Sequence, residues 1–174
     1  ALRLKQSLSK MSKITEPTPY MKSKSIQVHT DVYTDDDKKL TCIPATDIEG
    51  TIWTVQYIAE DGTKRFAKDS KKEGCFHVLG GMNKLSDAPV IVIAEGYATA
   101  ATIKEACGLP AVVSAFDSGN LKSVAKVLHE KYPYTPVILA ADDDKHLELS
   151  KGVNPGKEKA GEAAEAVNGF IILP

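Results

Sequence analysis

The sequence predicts an α/β fold: a parallel sheet flanked by helices, preceded by a small antiparallel β unit and an N-terminal helix. Three observations carry this. From Asp87 onward, apolar strand-like runs alternate with helical periods in the order β-α-β-α-β-α-β, the pattern of a parallel sheet covered by helices. Between about 41 and 80 the apolar period is two, with turn residues between short runs. Ahead of both, Leu4, Leu8, Met11 and Ile14 fall at helical spacing. The expected division is a helical lead-in over 1–40, an antiparallel subdomain over 41–85 and the parallel-sheet domain over 86–174.

The first helix is basic, with Arg3, Lys5, Lys10 and Lys13, and Pro17 and Pro19 end it. Asp31 to Lys39 is polar and acidic and reads as a loop. "TCIPAT", "TIWTVQYI", "KRFAK" and "CFHVL" then read as strands of a meander. Glu49-Gly50 and Asp61-Gly62 supply its turns. Trp53 and Tyr57, at strand spacing, read as core or half-buried.

In the second half, "VIVIA" (90–94) is apolar enough to be buried on both faces, as in a central parallel strand. A helix over 97–107 follows, stopped by Gly108 and Pro110. Strand 111–116 leads to a helix over 119–131 with Leu121, Val124, Ala125 and Leu128 on one face. Strand 136–141 leads to a long polar loop, a helix over about 156–167 and the strand "GFIIL".

Charge and cysteine content exclude several classes. The net charge of −1 rules out a protein that coats nucleic acid by bulk charge, so any such contact is a local patch. Cys42, Cys75 and Cys107 are scattered and odd in number, which fits a reducing cytoplasm and no disulfide framework. No stretch approaches transmembrane length and no signal peptide is present, so no membrane role is expected. The chain opens at Ala1 and ends on a strand-like run, and it reads as a fragment of something larger.

Chemistry collects where parallel sheets place it, beyond the carboxyl ends of the strands. Strand 90–94 ends in Glu95-Gly96. Strand 111–116 ends in Asp117-Ser118-Gly119-Asn120. Strand 136–141 ends in Asp142, Asp143, Asp144, Lys145 and His146. In an extended chain Asp142 and Asp144 point the same way and Asp143 points away. Two carboxylates on one side, with Glu95 arriving from another strand, suit a hard cation such as Mg²⁺ or Mn²⁺. Such an ion keeps positions for water and substrate phosphates. Crowded like charges also need a cation. The alternative is solvated strand ends and helix caps; Asp117, directly before a helix, reads as a cap.

Strand-Glu-Gly-helix followed by strand-Asp-x-Asp resembles the Toprim domain of primases, topoisomerases and some nucleases, over 87–174. "PYMKSKSI", "IPATDIEGTIWTVQYIAEDGTKRF", "GCFHVLG", "AEGYATAATI", "SAFDSGNL" and "NPGKEKAGEAA" resemble more narrowly the primase family of conjugative plasmids, phages and mobile elements, from about Pro19 to the end. The resemblance implies a Toprim catalytic core that joins ribonucleoside triphosphates on a single-stranded DNA template with Mg²⁺ or Mn²⁺. It implies Glu95 as the catalytic glutamate, close to the metal, and Asp142 and Asp144 as metal ligands. Helicase or other domains of a larger parent are the implied partners. A Toprim nuclease, or a non-catalytic single-strand-binding module of a conjugation or relaxase protein, are the alternative readings.

Lys64, Arg65, Lys68, Lys71 and Lys72 lie within nine residues, against Asp69. Alone they read as a solvated hairpin face; in a primase-like chain they read as a ridge for template or triphosphate phosphates. Asn154 and Lys157, in "GVNPGKEKAG", are further candidates for substrate contact. The segment is not a phosphate loop, since its glycines are too close and Glu158 stands where Ser or Thr belongs. Asn154 and Pro155 also suit a helix cap and first turn. Cys75 and His77 lack a second ligand pair, so no zinc site is expected.

Overall fold

A computed structural model describes residues 2–142 and 154–173 of the chain. Two five-stranded sheets organise it. The first is antiparallel, in the order β1-β2-β3-β4-β5: Ser12–Lys13, Tyr33–Thr34, Thr41–Thr46, Ile52–Ile58 and Lys64–Phe66. The second has the order β10-β9-β7-β8-β6. Here β6 is His77–Leu79, β7 Ile91–Ala94, β8 Val112–Ser114, β9 Val137–Ala140 and β10 Phe170–Ile172. Strands β7 to β10 are parallel, and β6 runs antiparallel on the edge at β8. The helices are α1 (Leu2–Leu8), α2 (Pro19–Ser23), α3 (Tyr97–Cys107), α4 (Leu121–Lys131) and α5 (Pro155–Val167).

Strand alternation sends the side chains of β7 to two cores. Ile91 and Ile93 join Leu121, Val124 and Leu128 of α4 and Ala160 and Ala163 of α5. Val92 and Ala94 join Tyr97, Ala100 and Ala101 of α3, together with Ile43, Ala45 and Ile58 of the first sheet. Ala100 and Ala101 are fully buried, and their small size lets α3 pack close between the sheets. α3 therefore covers one face of the second sheet, and α4 and α5 cover the other. The helices that follow β7 and its neighbour β9 in the chain, α3 and α5, lie on opposite faces. This is the switch point at which open α/β sheets form a crevice.

Several expectations are revised. Helical spacing from Leu4 to Ile14 implies one helix, yet α1 ends at Leu8. The Ile14 amide donates instead to Val32 O at 3.0 Å, and Ser12–Lys13 pair with Tyr33–Thr34. Ile14 thereby reaches the core around Tyr20 and Met21, while Leu4 and Leu8 pack on Val55 and Cys42. The acidic loop at 31–39 contains β2, which bridges β1 and β3. "CFHVL" does not close the meander. After one bridge, Thr46 to Phe76, it crosses to the second sheet as β6.

The hairpin turns form as read. Gly50 and Gly62 have φ of 79° and 86°, which a β-carbon disfavours. Asp47 Oδ1 accepts from the amides of Glu49 and Thr51, and Asp61 Oδ1 from that of Thr63.

His77 joins the two sheets. Its Nδ1–H donates to the Pro44 carbonyl of β3 at 3.0 Å, because a carbonyl only accepts. Burial pushes the imidazole down to about 4, with the Pro44 bond and the Asp31 charge opposing. The unfolded chain then binds a proton that the folded chain refuses. Stability is complete above about pH 6.5 and falls as pH drops toward 4, by an amount of order 3 kcal/mol. Urea midpoints across that window should fall more steeply for the wild type than for His77→Gln. Parallel curves would contradict this assignment.

Candidate active site

Register fixes the geometry at the carboxyl edge. Ala94 of β7 stands opposite Ala140 of β9 and Ser114 of β8. Glu95 is one residue beyond that line, Asp142 two and Asp117 three. Glu95 and Asp142 thus flank the switch point from adjacent strands, and both are half-buried. Gly96 caps α3 in extended backbone, turning the chain off the strand at once.

The first turn of α3 supplies a residue that the sequence alone does not single out. The Thr99 hydroxyl donates to Asp142 Oδ1 at 3.2 Å. This holds a carboxylate on β9 from the helix that follows β7, so the two strand ends are tied together. Thr99 resembles any helical threonine in sequence; only its position one turn after Glu95 hints at the role.

The basic stretch reaches this edge in part. A β-carbon placed on Gly96 would lie 3.9 Å from Thr99 Oγ1 and 4.0 Å from Lys64 Nζ. Those are ordinary contacts, so the space above Gly96 would admit a methyl group, with a hydroxyl and an ammonium on its rim. Lys72 forms a part-buried ion pair with Asp117. Its ammonium also sits 5.5 Å from the centroid of the Phe66 ring. Phe66 packs edge to face on Phe116, with centroids 5.7 Å apart. Arg65, Lys68 and Lys71 do not join Lys64 and Lys72; strand alternation turns Arg65 to the other face of the first sheet, beside Tyr57.

The loop after β8 is shaped by strain and by one amide. Phe116 has φ of 76°, a conformation that costs a residue with a β-carbon of order 1 kcal/mol. The turn swings its ring onto Phe66 and delivers Asp117 to Lys72. Asn120 holds it. The side chain is buried, accepts from Gly74 N and donates to Cys75 O and Ala115 O, each at 2.9 Å. It reads in sequence as part of a helix start. Asp117 precedes the 3₁₀ turn at Ser118–Asn120 but makes no side-chain cap bond there; its carboxylate serves Lys72.

Asn154 caps α5, accepting from Lys157 N at 3.2 Å, with Pro155 in the first turn. Asn154 is buried and the Lys157 side chain is exposed. Asp144, with Asp143, Lys145 and His146, lies outside the described residues. Among the described residues no group of three or more His, Cys, Asp or Glu stands close enough to hold a metal. No described helix is long and apolar enough to cross a membrane.

Comparison with known proteins accords with this geometry. The Toprim domain family model matches residues 90–173. Two DNA primases named TraC from Escherichia coli are each 58% identical over all 174 residues, and the chain spans 16% and 12% of their lengths. Among solved structures, the primase fragment of the bacteriophage T7 primase-helicase protein aligns at TM-score 0.54. That alignment has 16% identity and covers 89% of this chain and 59% of the fragment. A DNA primase domain from Pseudomonas aeruginosa aligns at TM-score 0.54 and 15% identity, covering all of this chain and 52% of that one. At such identities the two structures show a shared fold. Residues 90–173 therefore belong to the Toprim domain family, in a chain homologous along its whole length to the TraC DNA primases.

Proposed function

We propose that the chain is the catalytic core of a DNA primase, joining ribonucleotides on a single-stranded DNA template. One observation carries the reading. Glu95 and Asp142 come from neighbouring strand ends at the switch point of a Toprim sheet, tied by Thr99 and faced by Lys64. The TraC relatives, 58% identical over these 174 residues, are named DNA primases. Ribonucleoside triphosphates and template are the substrates. The further domains of a longer parent are the partners, as the T7 relative's joint naming of primase and helicase suggests.

The donor set suits a hard divalent cation, Mg²⁺ or Mn²⁺, because carboxylate oxygens and an open approach are what such ions take. Glu95 and Asp142 would hold it, with Asp144 as the third acid. When bound, the ion supplies charge to the transferring phosphate and acidity to the attacking hydroxyl. The chain's own residues do the rest. Glu95 accepts the proton of the primer 3′-hydroxyl. Thr99 fixes the orientation of Asp142. Lys64 faces the triphosphate, and Lys72, held by Asp117, adds charge beside it. Lys157, at the first turn of α5 that Asn154 caps, is a further phosphate contact.

The test is incubation of the chain with single-stranded DNA, a short primer, labelled ribonucleotides and Mg²⁺ or Mn²⁺. Extended oligoribonucleotides are expected. Degradation of the template instead would identify a nuclease, and binding without product a non-catalytic module.

A further inference from the structure

The basic stretch 64–72 is continuous in sequence but folds into two surfaces. Lys64, Phe66 and Lys72 face the carboxylate edge. Arg65 and Lys71 point away from it, to the outer face of the first sheet. On β4, Trp53, Val55 and Tyr57 alternate onto that outer face. The Arg65 guanidinium carbon lies 5.6 Å from the centroid of Tyr57, and the Lys71 ammonium 5.8 Å from that of Trp53. α1 crosses the same face over Val55, burying Leu4 and Leu8. It carries Arg3, whose guanidinium donates to Lys68 O at 2.6 Å.

The result is a pair of hollows that share Arg3 and Leu4. One, of about 470 Å³, opens on Tyr57, Arg65 and Lys68. The other, of about 290 Å³, opens on Trp53, Ser70 and Lys71. Trp53 is 37% exposed and Tyr57 is half-buried. A surface ring under a lysine is weakly stabilised through its π face, and one such pair would need no further explanation. Here there are two rings, each with its own cation, along one strand and beside two more cations. Arg3, Arg65, Lys68 and Lys71 stand against Asp69. Asp47 is a second acid beside this face, its Oδ2 accepting from the Trp53 indole N–H at 2.6 Å, so the cations outnumber the acids four to two. Partly exposed rings at intervals along β4, interleaved with cations, match the bases and phosphates of a single strand. An acidic peptide would use the cations and leave the rings idle.

We propose that this outer face, carrying Trp53, Tyr57, Arg3, Arg65, Lys68 and Lys71, is a second track for single-stranded nucleic acid, distinct from the carboxylate edge. Bases stack on Trp53 and Tyr57, displacing Lys71 and Arg65 from the rings toward the phosphates. The track lies across the first sheet from Glu95, so it holds the strand outside the reaction site. It deepens the primase reading and rests on it for its purpose, though not for its chemistry.

Trp53 is the chain's single tryptophan, so its fluorescence reports this face alone. Oligothymidylate titrated into the 174-residue chain should quench it saturably, and a duplex of the same length should quench it far less. Trp53→Ala, followed by anisotropy of a labelled oligonucleotide, should weaken binding roughly tenfold, and Trp53→Phe should restore most of it. Arg65→Ala with Lys71→Ala should flatten the salt dependence by about 1.4 in log–log slope, roughly 0.7 for each phosphate left without its cation. Absence of binding, equal quenching by duplex, or binding with unchanged Trp53 emission and unchanged affinity in the variants would each overturn the track. Quenching in a chain that transfers no nucleotide would sink the primase reading and leave the track standing. Nucleotide transfer with a silent Trp53 would do the reverse.

Discussion

Glu95→Gln should lower nucleotide transfer by roughly a hundredfold or more, the loss expected for an acid–base group. The amide keeps the shape and hydrogen-bonding reach of the carboxylate and loses its basicity and charge. The buried strand behind it is unchanged, so unfolding in urea should match the wild type. Single-strand affinity should also hold, because the cations that meet phosphate come from other elements. The effect should appear in kcat and not in the binding of template. Full activity in Glu95→Gln would reduce the residue to a solvated strand end.

Asn120→Ala should produce the largest loss of stability among the site's neighbours. Its amide satisfies one part-buried N–H and two buried carbonyls on two segments: Gly74 and Cys75 on the approach to β6, and Ala115 at the end of β8. Truncation strands all three. At about 1–3 kcal/mol for each unsatisfied buried group, a loss of about 3 kcal/mol or more is expected. Asn120→Asp should not rescue it, because a carboxylate oxygen would then face two carbonyl oxygens. Phe116 would be deprived of the bond that fixes its left-handed turn, and the Lys72–Asp117 pair would loosen with it. Chemical denaturation measures the loss directly. A change below about 1 kcal/mol, the low end for a single unsatisfied group, would show that other contacts hold this loop.

Much of the second half was legible because its signals agree. Gly108, in the left-handed conformation, ends α3 where the sequence places its stop, and Asn154 with Pro155 opens α5. Apolar runs buried on both faces marked the parallel strands, and the switch-point rule then put Glu95 and Asp142 at one edge. Where the reading went astray, the sequence carries a period but no partner. "CFHVL" alternates like a meander strand whichever sheet it joins, and Met11 and Ile14 continue a helical spacing that strand pairing interrupts. The run 64–72 looks like one ridge because a one-dimensional count cannot show alternate side chains leaving by opposite faces. Thr99 and Asn120 act through contacts distant in sequence, to Asp142, Gly74 and Cys75, and nothing local marks them. The left-handed Phe116 is likewise set by its surroundings, since its ring packs on Phe66 from the other sheet.

The central claim is that the ends of β7 and β9 form one cation site. Calorimetric titration of Mn²⁺ or Mg²⁺ into the wild type and into Asp142→Asn with Asp144→Asn tests it most directly. Saturable binding is expected in the wild type. The double variant should lose far more than the roughly tenfold that even a supporting residue commonly contributes to metal affinity. Its metal-free stability should hold or rise, because two repelling charges are gone. A double variant that binds the ion as the wild type does would contradict the account.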